Sequence, residues 1–506
     1  MDWDKELAAT LAHLETRSQT IAVEPMVEEV GRVVRLGDGV AVVEGLERVL
    51  QYEVVLFENG TAGQVMDLDR KTIGCVLFGD TSGLEAGSAV RHTGSPPLFP
   101  VGSELLGRVV DALGHPKDGH DAPSADNRWA LERDAPGPLQ RQPVREPLLT
   151  GLKAVDAVIP IGRGQRELIL GDRETGKTSI ALDAIINQRD TGVRCIYVSI
   201  GHKRSSVVEV IDELKRHHAV DYTTVIVADA SEPAALRYLA PYAGATLAEW
   251  FAVRGQHALV IYDDLTRHAE AYRDLSLILR HPPGREAYPG DIFSVHARLL
   301  ERAFKLNDRL GGGSVTALPI VETQRGNMTA FIPTNLISIT DGQLYLDAGL
   351  FARGQLPAID VGKSVSRVGR DAQPGVMRDA GANLRLDLAQ YEDVRDFARF
   401  GAILDDTTKR QLVRGERVTR ALAQPERQVV PLVVEVVELW ALKEGLLDIL
   451  EPNQIASFED RLKATVDRVA HLDVKSSATI DVALAKEFHD WVDAVLVNLV
   501  GTGPHP

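Results

Sequence analysis

The spacing of apolar and polar positions changes along the 506-residue chain. Residues 3 to 20 place Leu7, Leu11 and Leu14 at helical spacing, which predicts an amphipathic helix. From 26 to about 94 the apolar runs are short and cut by Gly, Asn and Asp, as in "YEVVLFENG" and "TIGCVLFGD". This spacing predicts a small antiparallel barrel or sandwich.

The middle of the chain has a different pattern. Residues 111 to 150 are rich in Pro, Gly and Asp, which predicts an irregular connection. Beyond them, apolar runs such as "RELILG", "VRCIYVSI" and "HALVIYDD" alternate with segments compatible with helices. Continuous apolar strands between helices indicate a parallel sheet covered on both faces. After about 380, helical periodicity predicts a helical C-terminal domain.

Composition and charge narrow the class of protein. The formal net charge of −16 argues against a nucleic-acid binder, which normally carries a basic surface. The acidic N-terminus does not read as a signal peptide, and Cys75 and Cys195 lack metal-ligand or disulfide spacing. We expect both cysteines to be buried, reduced thiols of a cytosolic protein.

The longest apolar stretch covers residues 429 to 450. It is interrupted by Glu435, Glu438, Lys443 and Glu444. Each charge would cost about 2.5–3.5 kcal/mol at the centre of a bilayer. The stretch therefore predicts a buried helix, and we expect any membrane association to come through partners.

The segment "GDRETGKTSI", residues 171 to 180, matches the phosphate-binding pattern G-x-x-x-x-G-K-[ST]. It follows a predicted strand and opens an apolar helix, the context in which backbone N–H groups surround phosphate oxygens. Lys177 would neutralise the β and γ phosphates, and the Thr178 hydroxyl would ligate Mg²⁺. A glycine-rich turn without a ligand is the alternative. The predicted nucleotide-binding residues here are Gly171, Asp172, Arg173, Glu174, Thr175, Gly176, Lys177, Thr178 and Ser179.

A second predicted strand, "ALVIYDD" at 258 to 264, ends in two acids. Such an ending is weak evidence alone, since acids commonly begin loops. Together with the phosphate loop it predicts ATP or ADP with Mg²⁺ as the cofactors. Thr178 and Asp263 are the predicted metal residues, with Asp264 as a neighbour.

Four longer segments resemble the alpha subunit of F-type ATP synthases. They are "GLKAVDAVIPIGRGQRELILGDRETGKT", "DDLTRHAEAYRDLSLILRHPPGREAYPGDIFSVHARLLERA", "SVTALPIVETQRGNMTAFIPTNLISITDGQLYL" and "SVSRVGR". The likeness runs from about residue 26 to at least 430. It implies a multi-domain α/β protein with four parts in chain order. These are an N-terminal helical segment at 1–25, a β-barrel at 26–94, a RecA-like P-loop domain with a mostly parallel sheet at 95–380, and a helical C-terminal domain at 381–506.

The resemblance also implies a function and a set of partners. Alpha chains of the family bind Mg-ATP without catalysing its hydrolysis and alternate with beta chains in an α3β3 ring around a gamma stalk. The ring couples ATP synthesis or hydrolysis to proton or sodium transport by a membrane rotor sector. By resemblance the N-terminal helix contacts the delta subunit of the peripheral stalk, and the C-terminal helices surround gamma. The expected location is peripheral, on the cytoplasmic side of a bacterial inner (plasma) membrane.

His202 occupies the position that separates the two chain types of the family. Beta chains carry a glutamate there that polarises the attacking water, and alpha chains usually carry a glutamine. Loss of a water-orienting group can remove orders of magnitude in rate. With Lys203 and Arg204 adjacent, we expect a neutral imidazole with a structural or nucleotide-sensing role. A cryptic base is the alternative.

In "VGKSVSRVGR", the resemblance assigns Arg367 to the γ-phosphate bound on the neighbouring beta chain. A guanidinium suits the charge that spreads over the equatorial oxygens in the transition state. Ser364 matches a position that the family needs for activity, so both residues are predicted to be catalytic. A surface salt bridge is the alternative for Arg367.

Several positions depart from the usual alpha pattern. Glu174 stands where glutamine is common and should weaken phosphate binding unless Arg173 or Arg204 pairs with it. By resemblance Gln424 flanks the base, and Glu426 replaces a second glutamine beside it. Further departures are Leu356, Asp360, Lys363, Arg370 and Asp371. They favour a divergent branch of the family, such as the alternate ATPases of some bacteria, which include sodium-pumping complexes.

A self-sufficient RecA-like hexameric ATPase motor, such as a helicase or secretion ATPase, is the competing function. Those proteins keep a catalytic glutamate, and helicases expose nucleic-acid-binding loops. His202 and the charge of −16 speak against them. The same histidine argues against the interpretation that the chain is a catalytic beta chain. So does its phosphate loop, which differs from the usual "GGAGVGKT" of beta chains.

Overall fold

A computed structural model of the chain describes residues 29–125, 127–398, 406–469, 471–472, 474 and 477–500. The predicted helix at 3 to 20 lies outside the described residues. The described part contains a β-barrel, a mostly parallel sheet with helices on both faces, and a helical C-terminal domain. The predicted multi-domain α/β class is confirmed.

Six antiparallel strands form the N-terminal barrel. Their bounds are β1 Val30–Gly37, β2 Val40–Glu44, β3 Val54–Phe57, β4 Ala62–Leu68, β5 Thr72–Leu77 and β6 Ala89–His92. The strands close in the order β1-β2-β5-β4-β3-β6, which decides between the predicted barrel and sandwich. Closure pairs every strand on both sides, so that no sheet edge is left open. The interior is apolar and includes Val33, Val43, Val55, Val65 and Cys75.

The predicted irregular connection at 111 to 150 contains one strand that the sequence did not show. Strand β9, Asn127–Ala130, pairs antiparallel with β7, Leu98–Val101. Strand β8, Val109–Val110, instead joins the edge of the main sheet beside β12, Thr223–Ala228. The chain immediately before the connection is therefore part of the main sheet.

The central domain is built on a nine-stranded sheet with the order β17-β16-β10-β15-β13-β11-β12-β8, and β14 pairs with β15. Its remaining strands are β10 Glu167–Gly171, β11 Arg194–Ile200, β13 His257–Asp263, β14 Phe304–Lys305, β15 Ser314–Glu322, β16 Gly342–Leu346 and β17 Val365–Ser366. All pairs are parallel except those of β14 and β17. Only β15 lies between β10 and β13, so the carboxyl ends of β10 and β13 lie close together.

Helices cover both faces of this sheet. They are α1 Lys153–Val158, α2 Lys177–Ile186, α3 Arg204–Arg216, α4 Ala234–Ala252, α5 Leu265–Ile278, α6 Ile292–Leu300, α7 Phe331–Ile339 and α8 Ala348–Ala352. Successive residues of β11 face opposite cores: Ile196 and Val198 belong to one, Cys195 and Tyr197 to the other. The continuous apolar strands seen in the sequence follow from burial on both faces.

The C-terminal domain is helical in its described part. Its helices are α9 Gly375–Ala380, α10 Leu384–Ala398, α11 Asp406–Leu422, α12 Leu432–Lys443, α13 Ile455–Ala464 and α14 Val482–Val500. Residues Val434 to Leu442 of α12 are buried, which confirms the predicted buried helix and places Glu435 and Glu438 inside the protein. Among the described residues, the structure shows no helix with the length and apolarity to cross a bilayer. Cys75 and Cys195 are buried and free, as expected.

Candidate nucleotide site

The predicted phosphate loop lies between the end of β10 and the start of α2. Gly176 has a φ of 94°, a backbone conformation that glycine adopts without strain, and α2 begins at the next residue. A Cβ on Gly171 would lie 2.8 Å from a backbone oxygen of Leu346, so this position also requires glycine. The loop thus presents the N-terminal end of α2 to an anion.

Asp172 anchors the loop rather than facing outward. Its Oδ1 accepts hydrogen bonds from Thr323 Oγ1 at 2.7 Å and from the Gly326 amide at 2.8 Å. Its backbone oxygen accepts from Thr175 Oγ1 at 2.8 Å and from Lys177 Nζ at 2.5 Å. Burial lowers the pKa of Lys177, and nearby carboxylates oppose this effect.

Asp263, at the end of β13, faces the start of α2. Its Oδ2 accepts hydrogen bonds from Thr178 Oγ1 and Tyr197 Oη, both at 2.7 Å. Burial disfavours the charge on Asp263, but the hydrogen bond and charge of His202, together with the hydrogen bonds from Tyr197 and Thr178, outweigh burial and lower its pKa. For Asp264, burial and the adjacent Asp263 raise the pKa to about 7. The structure therefore brings the two predicted metal residues, Thr178 and Asp263, into direct contact.

His202 lies in the same site. Its Nε2 is 3.0 Å from Asp263 Oδ1 and 3.9 Å from Asp264 Oδ2. Burial disfavours a charged imidazole, but the hydrogen bond to Asp263 and the two negative charges outweigh burial and raise its pKa. Asp263 contacts the ring, and Arg204 pairs with Asp229 at 2.7 Å, so the charges around the ring do not favour the neutral form in the way its sequence neighbours suggested.

These elements surround a pocket of about 830 Å³, a volume suited to a nucleotide-sized ligand. Of the predicted residues, Arg173, Glu174, Gly176, Lys177, Thr178, Ser179, Asp263 and Glu426 line it. Glu174 is exposed with a φ of 60°. Arg173 Nε lies 3.8 Å from Glu322 Oε1, and Arg204 pairs with Asp229, so the two proposed partners of Glu174 are engaged elsewhere.

The structure separates the two residues predicted to flank the base. Gln424 is buried, and its Oε1 accepts from the Lys153 amide at 3.1 Å. Its Nε2 donates to the backbone oxygens of Gly151 and Gln428, both at 2.7 Å. Glu426 is exposed and lines the pocket beside Gly176. Gln424 is thus committed to backbone groups of its own chain. Leu356 lines a separate cavity of about 270 Å³.

Arg367 lies at the opposite end of the sheet from the phosphate loop. It follows Ser366, which pairs with Gly342 at the start of β16, and Gly342 pairs with Glu167 at the start of β10. Since the phosphate loop follows the other end of β10, about 13 Å of strand separates the two places. Arg367 is exposed, and its Nη1 donates to the Thr340 carbonyl at 3.2 Å. The described residues that line the nucleotide pocket do not include it.

Ser364 is buried below this segment. Its Oγ donates to the Asp360 carbonyl at 2.6 Å and accepts from the Tyr345 amide at 3.0 Å. These bonds attach the turn before β17 to β16. The side chain of Ser364 therefore holds the backbone that carries Arg367 and does not itself reach the surface.

Sequence reasoning missed several side chains of the pocket, among them Tyr197, Glu322 and Arg427. Tyr197 contacts Asp263, and Glu322 lies at the carboxyl end of β15, between the two strands that carry the site. Arg427 Nη1 donates to the Ser179 carbonyl at 3.0 Å and lies 3.2 Å from Asp183 Oδ1. The position of Glu322 after an apolar strand was a usable signal, because ligands bind at the carboxyl ends of parallel strands.

A glycine-rich loop between a central parallel strand and a helix, facing an acid at the end of a second strand, defines a P-loop nucleotide-binding domain. Models of the ATP synthase alpha/beta family match the chain in three stretches. These are the beta-barrel domain at residues 26–94, the nucleotide-binding domain at 151–366 and the C-terminal domain at 373–495.

The chain is also 52% identical over 456 residues to "ATP synthase subunit alpha" of Levilactobacillus brevis. The aligned region covers 90% of this chain and 89% of that protein. The chain therefore belongs to the ATP synthase alpha/beta family, and its resemblance to the alpha subunits of that family is confirmed.

Proposed function

We propose that this chain is a regulatory, non-catalytic subunit that binds Mg-ATP in the soluble head of a rotary F-type ATP synthase or ATPase. In this proposal Arg367 completes the catalytic site of an adjacent beta subunit. The assembly couples ATP synthesis or hydrolysis to the transport of protons or sodium ions. The chain itself binds nucleotide without substantial turnover.

The observation that carries this proposal is the separation of Arg367 from the chain's own phosphate loop. A guanidinium that stabilises a transition state must reach the terminal phosphate, and Arg367 lies at the opposite end of β10. It is exposed, and so is accessible to another chain. The chain's own pocket has His202 where a catalytic relative carries a carboxylate, which supports a site that binds without hydrolysing.

The residues of the pocket fit a Mg-nucleotide. Backbone amides of the loop and Lys177 supply positive charge for phosphates. Thr178 and Asp263 supply the hydroxyl and carboxylate oxygens that Mg²⁺ prefers. Bound there, the ion would neutralise phosphate charge. Arg173, Glu174, Ser179 and Glu426 would contact the nucleotide, and Gln424 would act only through the backbone of the segment that leads to Glu426.

The partners follow from the same proposal. Beta subunits alternate with this chain in a ring, the C-terminal helices face a gamma stalk, and the N-terminal segment contacts the delta subunit of a peripheral stalk. This chain interacts with the membrane rotor sector only indirectly. The complex lies on the cytoplasmic side of a bacterial inner membrane.

The decisive test replaces Arg367 in the assembled complex. We expect Arg367→Ala to lower ATP turnover by about 10³-fold, because transition-state charge loses its partner. Binding of a fluorescent adenine nucleotide to this chain should not change. Arg367→Lys should recover little, since an ammonium lacks the forked donors. Arg370→Ala, an exposed arginine three residues away, serves as the matched control.

Two outcomes would contradict the proposal. Turnover that Arg367→Ala leaves unchanged would remove the role of Arg367. Brisk ATP hydrolysis by the purified chain without any partner would instead support the self-sufficient hexameric motor.

A further inference from the structure

Glu167 is a buried carboxylate at the end of the sheet where Arg367 lies. Its side chain is fully buried at the start of β10. Its Oε2 accepts a hydrogen bond from Gln165 Nε2 at 2.7 Å, whereas its Oε1 has no hydrogen-bond partner among the described residues. An unbonded oxygen on a buried carboxylate costs stability, and such groups are concentrated at functional sites. Glu167 is not among the described residues that line the nucleotide pocket.

The missing side chain of Gly342 gives this carboxylate its place. Glu167, Gly342 and Ser366 lie opposite one another on β10, β16 and β17. A Cβ on Gly342 would lie 2.4 Å from Glu167 Oε2, 2.9 Å from its Oε1 and 2.2 Å from the Val365 carbonyl oxygen. The carboxylate therefore occupies the space of the missing side chain, next to the strand that leads to Arg367.

Hydrogen bonds connect the same carboxylate to the backbone around Arg367. Gln165 Nε2, which donates to Glu167, also donates to Ser366 Oγ at 3.2 Å. Ser366 Oγ in turn accepts a hydrogen bond from the Gly369 amide at 3.0 Å. Ser366 precedes Arg367 and Gly369 follows it, so the segment that carries the arginine is linked to Glu167 through two side chains.

Charge also connects Glu167 with Arg367. Burial raises the pKa of Glu167 well above its ordinary value, and the negative charge of Asp341 acts in the same direction. The positive charge of Arg367 acts in the opposite direction and favours the ionised carboxylate. Within the described part of the chain, Asp341 and Arg367 are the charged groups that act on Glu167. The attraction is mutual, so an ionised Glu167 restrains an exposed guanidinium that would otherwise sample many rotamers.

We propose that Glu167 is a positioning residue for Arg367, and that its buried carboxylate orients the guanidinium toward the terminal phosphate on the neighbouring chain. The inference rests on the proposed function, since it concerns the same arginine. Orientation matters because a small displacement of a group that contacts the transition state can cost about 100-fold in rate. Glu167 itself is buried and acts through Arg367.

The first test introduces Glu167→Gln into the assembled complex. The new amide oxygen can still accept a hydrogen bond from Gln165, but the side chain no longer carries a negative charge. At a pH above the raised pKa of Glu167, we expect kcat for ATP hydrolysis to fall at least about tenfold. KM and nucleotide binding to this chain should not change, because the loss concerns the transition state alone.

The matched control is Glu435→Gln in α12. Glu435 is also buried, its Oε1 also has no hydrogen-bond partner among the described residues, and burial raises its pKa well above the ordinary value. Removing this second buried carboxylate should leave kcat unchanged, because Glu435 lies in the C-terminal domain, away from Arg367.

The pH dependence of kcat separates positioning from a structural role. Glu167 ionises as the pH rises through its raised pKa, so kcat of the unmodified complex should rise over that range. In Glu167→Gln this rise should be lost, and the two proteins should have the same kcat where Glu167 is protonated. A loss of kcat that is equal at every pH would show a structural role and overturn the inference.

A second measurement uses the purified full-length chain without any partner. The infrared band of the protonated Glu167 carboxyl group, identified by its loss in Glu167→Gln, reports the titration of this residue. Arg367→Ala should shift that titration to higher pH, because the guanidinium favours the ionised form. Arg370→Ala removes an exposed arginine three residues away and should leave the titration unchanged.

The outcomes separate this inference from the proposed function. Unchanged kcat in Glu167→Gln across the pH series, or a titration of Glu167 that Arg367→Ala does not shift, would overturn the inference while the role of Arg367 stands. Unchanged turnover in Arg367→Ala would overturn the proposed function. In that case the infrared titration still decides whether Glu167 restrains Arg367.

Discussion

The ammonium group of Lys153 lies 3.1 Å from the carboxylate of Glu438, and both side chains are fully buried. Lys153 begins α1 of the nucleotide-binding domain, and Glu438 belongs to α12 of the C-terminal domain. Glu459 of α13 approaches the same ammonium at 2.6 Å. Burial disfavours the charge on Lys153, but the two glutamates outweigh burial and raise its pKa. One buried cation thus joins the nucleotide-binding domain to the C-terminal helices.

We expect Lys153→Met to destabilise the chain by about 3–5 kcal/mol, because it leaves buried carboxylates without their cation. Denaturant unfolding followed by tryptophan fluorescence would measure the loss, since Trp440 lies in the C-terminal core. The matched control is Lys463→Met, which removes a partly exposed partner of Glu459 and should cost about 1 kcal/mol or less. Equal losses of unfolding free energy in Lys153→Met and Lys463→Met would contradict the role of Lys153 as the buried cation that joins the two domains.

Gln424 and Glu426 should respond differently to substitution. Gln424→Ala removes three hydrogen bonds, two of them buried, and should lower the free energy of unfolding by about 2 kcal/mol or more, with little effect on nucleotide affinity. Glu426→Gln removes a negative charge beside the phosphate loop and should tighten nucleotide binding about fivefold. Fluorescent-nucleotide titration of both variants is the measurement. A strong loss of affinity in Gln424→Ala would restore it as a nucleotide contact.

Tyr197 should orient Asp263, one of the two predicted metal residues, from the strand beside it. Tyr197→Phe removes the 2.7 Å hydrogen bond to Asp263 and should weaken metal-supported nucleotide binding by about tenfold, because Asp263 loses one of the groups that orient it. Tyr262→Phe is the matched control, a tyrosine equally buried on the adjacent strand but packed in the opposite core. If Tyr197→Phe and Tyr262→Phe bind the nucleotide with the same affinity, the hydrogen bond from Tyr197 to Asp263 has no role in the site.

Acid should destabilise the nucleotide-binding domain through two buried histidines. His296 Nε2 lies 3.3 Å from His268 Nδ1, and burial lowers the pKa of His296 to about 4. Below pH 6.5 the unfolded chain gains protons that the folded chain does not, so stability falls as the pH drops from 6.5 towards 4.

We expect His296→Gln to reduce the slope of unfolding free energy with pH by about 1.4 kcal/mol per unit in that window. Denaturation at a series of pH values would measure the slope. Between pH 7 and 8 the difference in unfolding free energy between the unmodified chain and His296→Gln should be constant. An unchanged slope between pH 4 and 6.5 would contradict the role of this histidine.

Much of the fold and part of the site could be predicted from the amino-acid sequence. The uninterrupted apolar strands required a sheet covered on both sides, and the phosphate-loop pattern fixed the contact between its strand and helix. Barrel closure could not be predicted from the short strands alone, because a sandwich has the same alternation. Strand β9 was missed since "NRWA" carries no strand pattern distinct from its polar surroundings.

His202 shows why the site was harder to predict than the fold. Its neighbours in sequence are Lys203 and Arg204, which suggested a neutral ring. Its neighbour in space is Asp263, 61 positions away, because β11 lies beside β13 with Ser199 opposite Asp263. Gln424 is a similar case. The resemblance to the family placed it beside the base of the nucleotide, whereas its side-chain amide is hydrogen-bonded to the backbone of residues 151, 153 and 428.

The sequence by itself determined the order of the domains, the parallel sheet and the residues of the phosphate loop, since these depend on local backbone preference and on which positions are apolar. Tertiary structure decided the contact of His202 with Asp263, the partners of Gln424, the burial of Lys153 and the distance between Arg367 and the loop. Each of these depends on electrostatics and hydrogen bonds between segments far apart in the chain, and only the packing of strands and helices sets those distances.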